Sequence, residues 1–504
     1  MRCGSLLWLS LLASCGGAGL GDPCDVASDC EPQLQCLSNV CLPRCKRAPE
    51  CGDGFACMAD GTCVEATGDR GDVCNSEVEC KPGLACFLST TDDGPSPLTS
   101  ACLDERAGHI AGAPCDTDDD CRNGTCALGR CIDLCNVARD SRDCGEGMTC
   151  THIPRVGPGG SGKWFAGCLQ AKGSIAWNIP VTSPSQTVPL AVPESAQSVS
   201  ITMRVDDPNQ LVGVTHIVAP NADVWLDGVG PYGGPVVRHH PALGQSVLAM
   251  PSTPDVQFLA GMYTLAVTSL LPQQDGSLVR GTATPVVTAV AKLDPSVILD
   301  LHFYFLNLED HPCAAAFDGG LLNAQTAATG PTFKGRYLAA LSSYLAASDI
   351  ALATTGVTYE DVKDHPDLDA PSFANVNDLL KLGAYRGGIN VFFVRSLSPA
   401  GVQAFSPNPG PAGLASGDGV GQAGVIISLD TLCYESWEQL ARLTTRELAR
   451  YMGLYNNVEL DGHADPIFDS DSMSTNLMYY SDAGGGTILS TGQRKILSQS
   501  PVLR

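Results

Sequence analysis

The chain has 504 residues, beyond the size at which one hydrophobic core keeps growing, so about two to four domains are expected. Apolar residues make up 44% and charged residues 17%, with 54 Gly and 34 Pro, which suits loop-rich, β-containing extracellular modules better than helical bundles or disordered chain. The net charge of −24 comes with no basic stripe to neutralise a phosphate backbone, so nucleic acid is excluded as a partner.

At the start, Arg2 precedes a short apolar run, Leu6 to Leu12, followed by Ala13-Ser14-Cys15-Gly16. The run is too short to span a bilayer and has the form of a signal peptide, residues 1–14. Leu12 to Cys15 resembles the bacterial lipobox. That resemblance implies cleavage before Cys15 and acylation of its thiol, with residues 15–23 as a flexible tether. The membrane would then be a partner through this lipid, and Gly16 after the acylated cysteine resembles sorting to the outer membrane or cell surface. Ordinary secretory cleavage at small residues is the alternative.

Of the 24 cysteines, twenty lie between Cys24 and Cys168, and Cys313 and Cys433 stand apart. An even number in an exported chain indicates disulfides. Within a cysteine-rich region of residues 24–168, one set of eight runs from Cys24 to Cys63 and a second from Cys115 to Cys168, each opening C-x5-C. A half-length copy, Cys74, Cys80, Cys86 and Cys102, lies between them. Such segments bury little apolar surface, so crosslinks must restrict the unfolded chain. No C-x2-C pair suggests zinc, and the acidic turns Asp25 to Asp29 and Asp116 to Asp120 lack the spacing of a calcium loop.

Cysteines then stop and alternation begins. Val199, Ile201 and Met203 within Gln197 to Arg204 predict a half-buried strand, and Val224 to Leu226 and Leu259 to Val267 continue the pattern. Residues 174–292 are therefore expected to form a β-sandwich. Gly261 to Val267 resembles a strand of the small jelly-roll modules that accompany secreted proteases. His239 and His240, beside Arg238, are expected to be an exposed loop pair.

Residues 295–504 alternate strands with helices. Strands are predicted at Val297 to Leu306, Ile350 to Thr354, Ile389 to Val394 and Val425 to Ile427. Helices are predicted at Phe333 to Ala347, Phe373 to Leu382 and Trp437 to about Met452, the last stopped by Gly453. This order describes an α/β layer of helices over a mostly parallel sheet.

The informative stretch is Thr445-Arg-Glu-Leu-Ala-Arg-Tyr-Met-Gly-Leu-Tyr-Asn456, followed by Asp461-Gly-His-Ala-Asp465 and Asn476-Leu-Met-Tyr-Tyr480. It resembles the active-site segment and Met-turn of the metzincin zinc proteases. There, two histidines at i and i+4 bind zinc, a glutamate between them is the general base, and a glycine turns the chain toward a third histidine. The resemblance puts Glu447 at the base position, Gly453 at the turn and Met478 at the Met-turn. The three ligand positions hold Arg446, Arg450 and Asn456. Arginine presents only donors and asparagine a weak neutral oxygen, so these positions offer no zinc site. Without zinc, nothing lowers the pKa of the attacking water or polarises the scissile carbonyl, and Glu447 alone does not replace the metal.

The resemblance therefore implies an inactive metzincin-like domain with no cofactor, a pseudoprotease that binds a protein or peptide. The alternative is an active secreted zinc peptidase that recruits His463, Asp465, His302 or His311 as ligands. Two readings of the arginines stay open: they pair with Glu447 and with Asp461 or Asp465, pinning the cleft or readying it for a carboxylate, or they drift toward water. Cys313 and Cys433 form either a disulfide, tying the first-strand loop to the long helix, or two free thiols. The expected architecture is thus multidomain: disulfide-rich N-terminal repeats, a β-sandwich middle domain and an α/β metzincin-like C-terminal domain.

Overall fold

The computed structural model describes residues 22–31, 34–37, 40–43, 55–58, 63–88, 99–139, 141–156, 162–230, 236–308, 310–372, 374–414, 423–480 and 486–504. Cys15, with the signal peptide and most of the tether, lies outside the described residues, as do Cys45 and Cys51. The chain divides into two compact units. One holds most of the first 150 residues; the other runs mainly from residue 170 to the C-terminus and contains both the sandwich and the α/β layer.

In the cysteine-rich unit the repeat is four cysteines long, which corrects the expected sets of eight. Cys74 bonds Cys86 and Cys80 bonds Cys102; Cys115 bonds Cys126 and Cys121 bonds Cys131; Cys135 bonds Cys150 and Cys144 bonds Cys168. In each quartet the first cysteine pairs with the third and the second with the fourth. Cys30 and Cys41 hold the second-to-fourth position of the first quartet. A one-turn 3-10 helix precedes the second cysteine in three quartets, at Ala27–Asp29, Glu77–Glu79 and Asp118–Asp120.

The acid that closes each of those turns has a local task. Asp29 Oδ2 accepts the amides of Asp25 and Val26, and Asp120 Oδ2 those of Asp116 and Thr117, all within 3.0 Å. These backbone donors hold both carboxyls below the usual aspartate range. The acidic turns are thus self-capped.

One carboxylate joins two quartets. Glu77 accepts the Cys86 amide and the Asn123 side-chain amide, each at 2.8 Å, and Asn123 also reaches Asp133 at 3.3 Å. Burial, with the nearby Asp133 charge adding to it, pushes the Glu77 carboxyl up to about 7.

The sandwich has two antiparallel sheets. One orders Ser174–Ile179, Val286–Lys292, Ser198–Arg204 and Gln245–Met250; the other is built on Ser185–Val192, Gly261–Pro272, Leu211–Val218 and Val224–Asp227. Trp225 and Tyr263 meet edge-to-face at 5.2 Å, and the Tyr263 hydroxyl donates to the Leu259 carbonyl.

Two expectations need correction here. The strand Ser198–Arg204 is buried on both faces, for Ser198, Ser200 and Thr202 are as enclosed as Val199, Ile201 and Met203. At its start the Ser198 hydroxyl donates to the Gln499 carbonyl of the C-terminal segment. His239 is also buried: Nε2 accepts the Val214 amide at 3.2 Å and Nδ1 lies 3.2 Å from the Val247 carbonyl, while His240 stays exposed. Enclosure holds the His239 imidazole neutral, down to about 3.

In the α/β layer the sheet order is Ala351–Val362, Ile298–Leu306, Ile389–Val394, Val425–Ser428 and Ala404–Phe405. The first four strands are parallel; the last is a short antiparallel edge. Near-continuous apolar runs such as Ile389–Val394 suit strands covered on both sides. Phe303, Phe305, Phe393, Val425 and Ile427 face one core with the long helix; Tyr304, Phe392 and Ile426 face another with Leu379 and Leu380. The helical stretch predicted at Phe333 begins as a π-helix, Phe333–Leu338, and continues as an α-helix, Ala339–Ala347. Cys313 and Cys433 are bonded, so the free-thiol alternative falls.

Candidate functional site

The site is built on the helix Trp437–Tyr451. The Ser436 hydroxyl caps its start by accepting the Gln439 amide, and the Trp437 indole donates to the Ala316 carbonyl at 3.0 Å. The helix is buried almost all round, so its polar residues need internal partners. Thr444 and Thr445 each donate to a carbonyl one turn back at 2.8 Å. Gly453, at φ 113°, ends the helix in the left-handed region, and the chain turns back to bring Asn456 over its last turns.

The three positions 446, 450 and 456 converge. Arg446 and Arg450 each donate to the Asn456 side-chain oxygen at 3.2 Å. Glu447, 5% exposed, lies between the guanidiniums, 3.4 Å from Arg446 and 3.6 Å from Arg450. Arg446 also donates to the Tyr480 carbonyl at 3.3 Å. Met478 is fully buried, and its carbonyl accepts the Asn457 amide.

The arginines therefore do not drift toward water; the expected pairing with Glu447 is present, and only the second expected carboxylate needs correction. Asp461 is exposed and pairs with His463, while Asp465 bonds Gln493. The second carboxylate is Glu459, which accepts from Asn456 at 2.7 Å and from Arg238 at 2.7 Å. Arg238 in turn lies 4.1 Å over the Tyr455 ring. Three guanidiniums thus meet two carboxylates around one asparagine.

Sequence reasoning missed Glu459, Arg238, Tyr455 and Ser406. Ser406 follows the edge strand Ala404–Phe405, and its hydroxyl donates to Glu447 Oε2. The same loop seals the helix end, where the Gly410 amide donates to the Tyr451 carbonyl and the Tyr451 hydroxyl to the Pro411 carbonyl. The only local signal was Glu459 itself, three residues beyond Asn456.

The other candidate ligands are not brought to this cluster. His463 sits in an exposed hairpin against Asp461. His302 bonds Thr358 and the Gly387 carbonyl and stacks on Tyr385, while His311 lies against the Arg395 carbonyl. Among the described residues, every group of three or more His, Cys, Asp or Glu side chains close enough to share an ion consists of cysteines, which are disulfide-bonded.

No protein-family model matches the chain. It is similar to a cysteine-rich relative, "Turripeptide OL55-like" from Iotyrris cingulifera, 32% identical over 111 residues, which span 21% of this chain and 96% of that protein. Among solved structures, a family two carbohydrate esterase from Cellvibrio japonicus aligns at 10% identity over 49% of this chain and 76% of its own, with a TM-score of 0.12. That score carries no argument about the fold.

Proposed function

The chain belongs to the Turripeptide OL55-like family through a 111-residue aligned stretch, 21% of its length; for the remainder, we propose that the α/β region is a degenerate metzincin-like domain that binds rather than cuts. The disulfide-rich repeats mark the protein as exported. Acylation at Cys15 would hold it on the outer membrane or cell surface, and a protein or peptide is the partner the reading implies.

One observation carries the reading: positions 446, 450 and 456 still meet at a point, the Asn456 oxygen, with Glu447 beside it. The residue order of the resemblance requires that convergence, and residues that donate rather than coordinate now occupy it. Glu447 is consumed by Ser406 and two guanidiniums and is shut from water, so it does not serve as a general base.

The test is restoration. The triple variant Arg446→His, Arg450→His, Asn456→His is expected to take up about one zinc per chain by elemental mass spectrometry, where the wild type holds none. A folded triple variant without zinc overturns the resemblance. Stoichiometric zinc in the wild type overturns the non-catalytic reading.

A further inference from the structure

At the opposite end of the long helix, a cavity of about 530 Å³ opens just past the carboxyl ends of the strands Ile389–Val394 and Val425–Ser428. This is where open α/β sheets present a crevice, and the volume is that of a ligand pocket. Leu397, 7% exposed, and Val402 line its apolar side. Asp430 and Tyr434 line its polar side, and Tyr434 is 62% exposed. The Tyr434 ring is held in place: Gln403 donates to its hydroxyl at 3.3 Å, its amide donates to the Thr431 carbonyl, and the neighbouring Cys433 is bonded to Cys313.

Among the described residues, no Lys or Arg pairs with Asp430. Its neighbour is the buried His311, whose Nε2 lies 3.4 Å away. His311 Nδ1 accepts the Cys313 amide at 3.1 Å, which leaves the ring proton on Nε2, 3.0 Å from the Arg395 carbonyl. The guanidinium of Arg395 is itself engaged by the Asp310 carbonyl at 2.6 Å. Asp430 thus presents a half-exposed carboxylate beside an open aromatic face and an aliphatic wall.

We propose that this cavity takes a lysine or arginine side chain of a partner polypeptide. The cationic head meets Asp430 and the Tyr434 face, and the aliphatic stem lies along Leu397 and Val402. A neutral apolar side chain would leave the carboxylate desolvated and unpaired, which disfavours it. The inference is independent of the metzincin reading, since it uses neither the arginine cluster nor a metal.

The test titrates the full chain with the capped tripeptides Gly-Arg-Gly, Gly-norleucine-Gly and Gly-Glu-Gly by calorimetry or NMR. The arginine peptide should bind roughly tenfold more tightly than the norleucine peptide, a difference within the range for a charge-assisted contact. Asp430→Asn should erase that preference, and Tyr434→Ala should weaken the arginine peptide several-fold. Val402→Trp keeps the carboxylate but fills the cavity, and should abolish binding even if Asp430→Asn folds poorly. Equal binding of the arginine and norleucine peptides overturns the proposal, as does an arginine preference that survives both Asp430→Asn and Val402→Trp.

Discussion

Replacing Arg446 by alanine is expected to destabilise the larger unit by about 3–5 kcal/mol, because it strands a buried carboxylate. Glu447 would keep Ser406 and the longer contact to Arg450 but lose its enclosed partner, and Asn456 would lose one of its two donors. Arg450→Ala should cost less, about 1–2 kcal/mol, since its side chain is 24% exposed and its contact with Glu447 is longer. Glu447→Ala added to Arg446→Ala should recover part of the loss by removing the orphaned charge. Urea denaturation of the four proteins measures all three effects. An Arg446→Ala midpoint equal to wild type would mean that the guanidinium pins nothing.

The second expectation concerns pH in the cysteine-rich unit. The Glu77 carboxyl is raised to about 7 by burial and by Asp133, against 4.5 for an ordinary glutamate. A raised carboxyl binds its proton more tightly in the folded state. Local stability should therefore be full below about pH 4.5 and fall as pH rises to 7, by up to about 3 kcal/mol. Asp133 is raised by its own burial, so its contribution has the same sign. The opposing groups are the Cys86 and Asn123 amides and the more distant Arg122 charge. The Cys86 amide, which donates to Glu77, is the reporter. Its hydrogen-exchange protection, corrected for intrinsic rates, should drop between pH 5 and 8. Glu77→Gln should flatten that profile, because the neutral amide still accepts from Cys86. A wild-type profile as flat as the variant's would show that Glu77 does not change its protonation state over that range.

Much of the α/β layer was legible because its signals are local. Strand runs such as Ile389 to Val394 and the stop at Gly453 need no distant information. The convergence of residues 446, 450 and 456 was also readable, since one helix and one turn place all three. What the sequence hid lies in contacts across long separations. Arg238 is 221 residues from Glu459, and Ser406 is 41 from Glu447, so neither could be assigned to the cluster from spacing. The same cause applies to the burial of Ser198, which the Gln499 carbonyl meets from 301 residues away. Alternation reports which face is apolar, but not that a partner for Ser198 arrives from the far end of the chain. The four-cysteine period is hidden in the sequence because adjoining quartets with similar spacing merge into sets of eight.

That period bears on how such a region changes over generations. In each fully described quartet, both bonds close between members of that quartet. Deleting or duplicating one quartet as an unbroken stretch of gene leaves every remaining sulfur with its mate, so the number of quartets is free to vary without rewiring the rest.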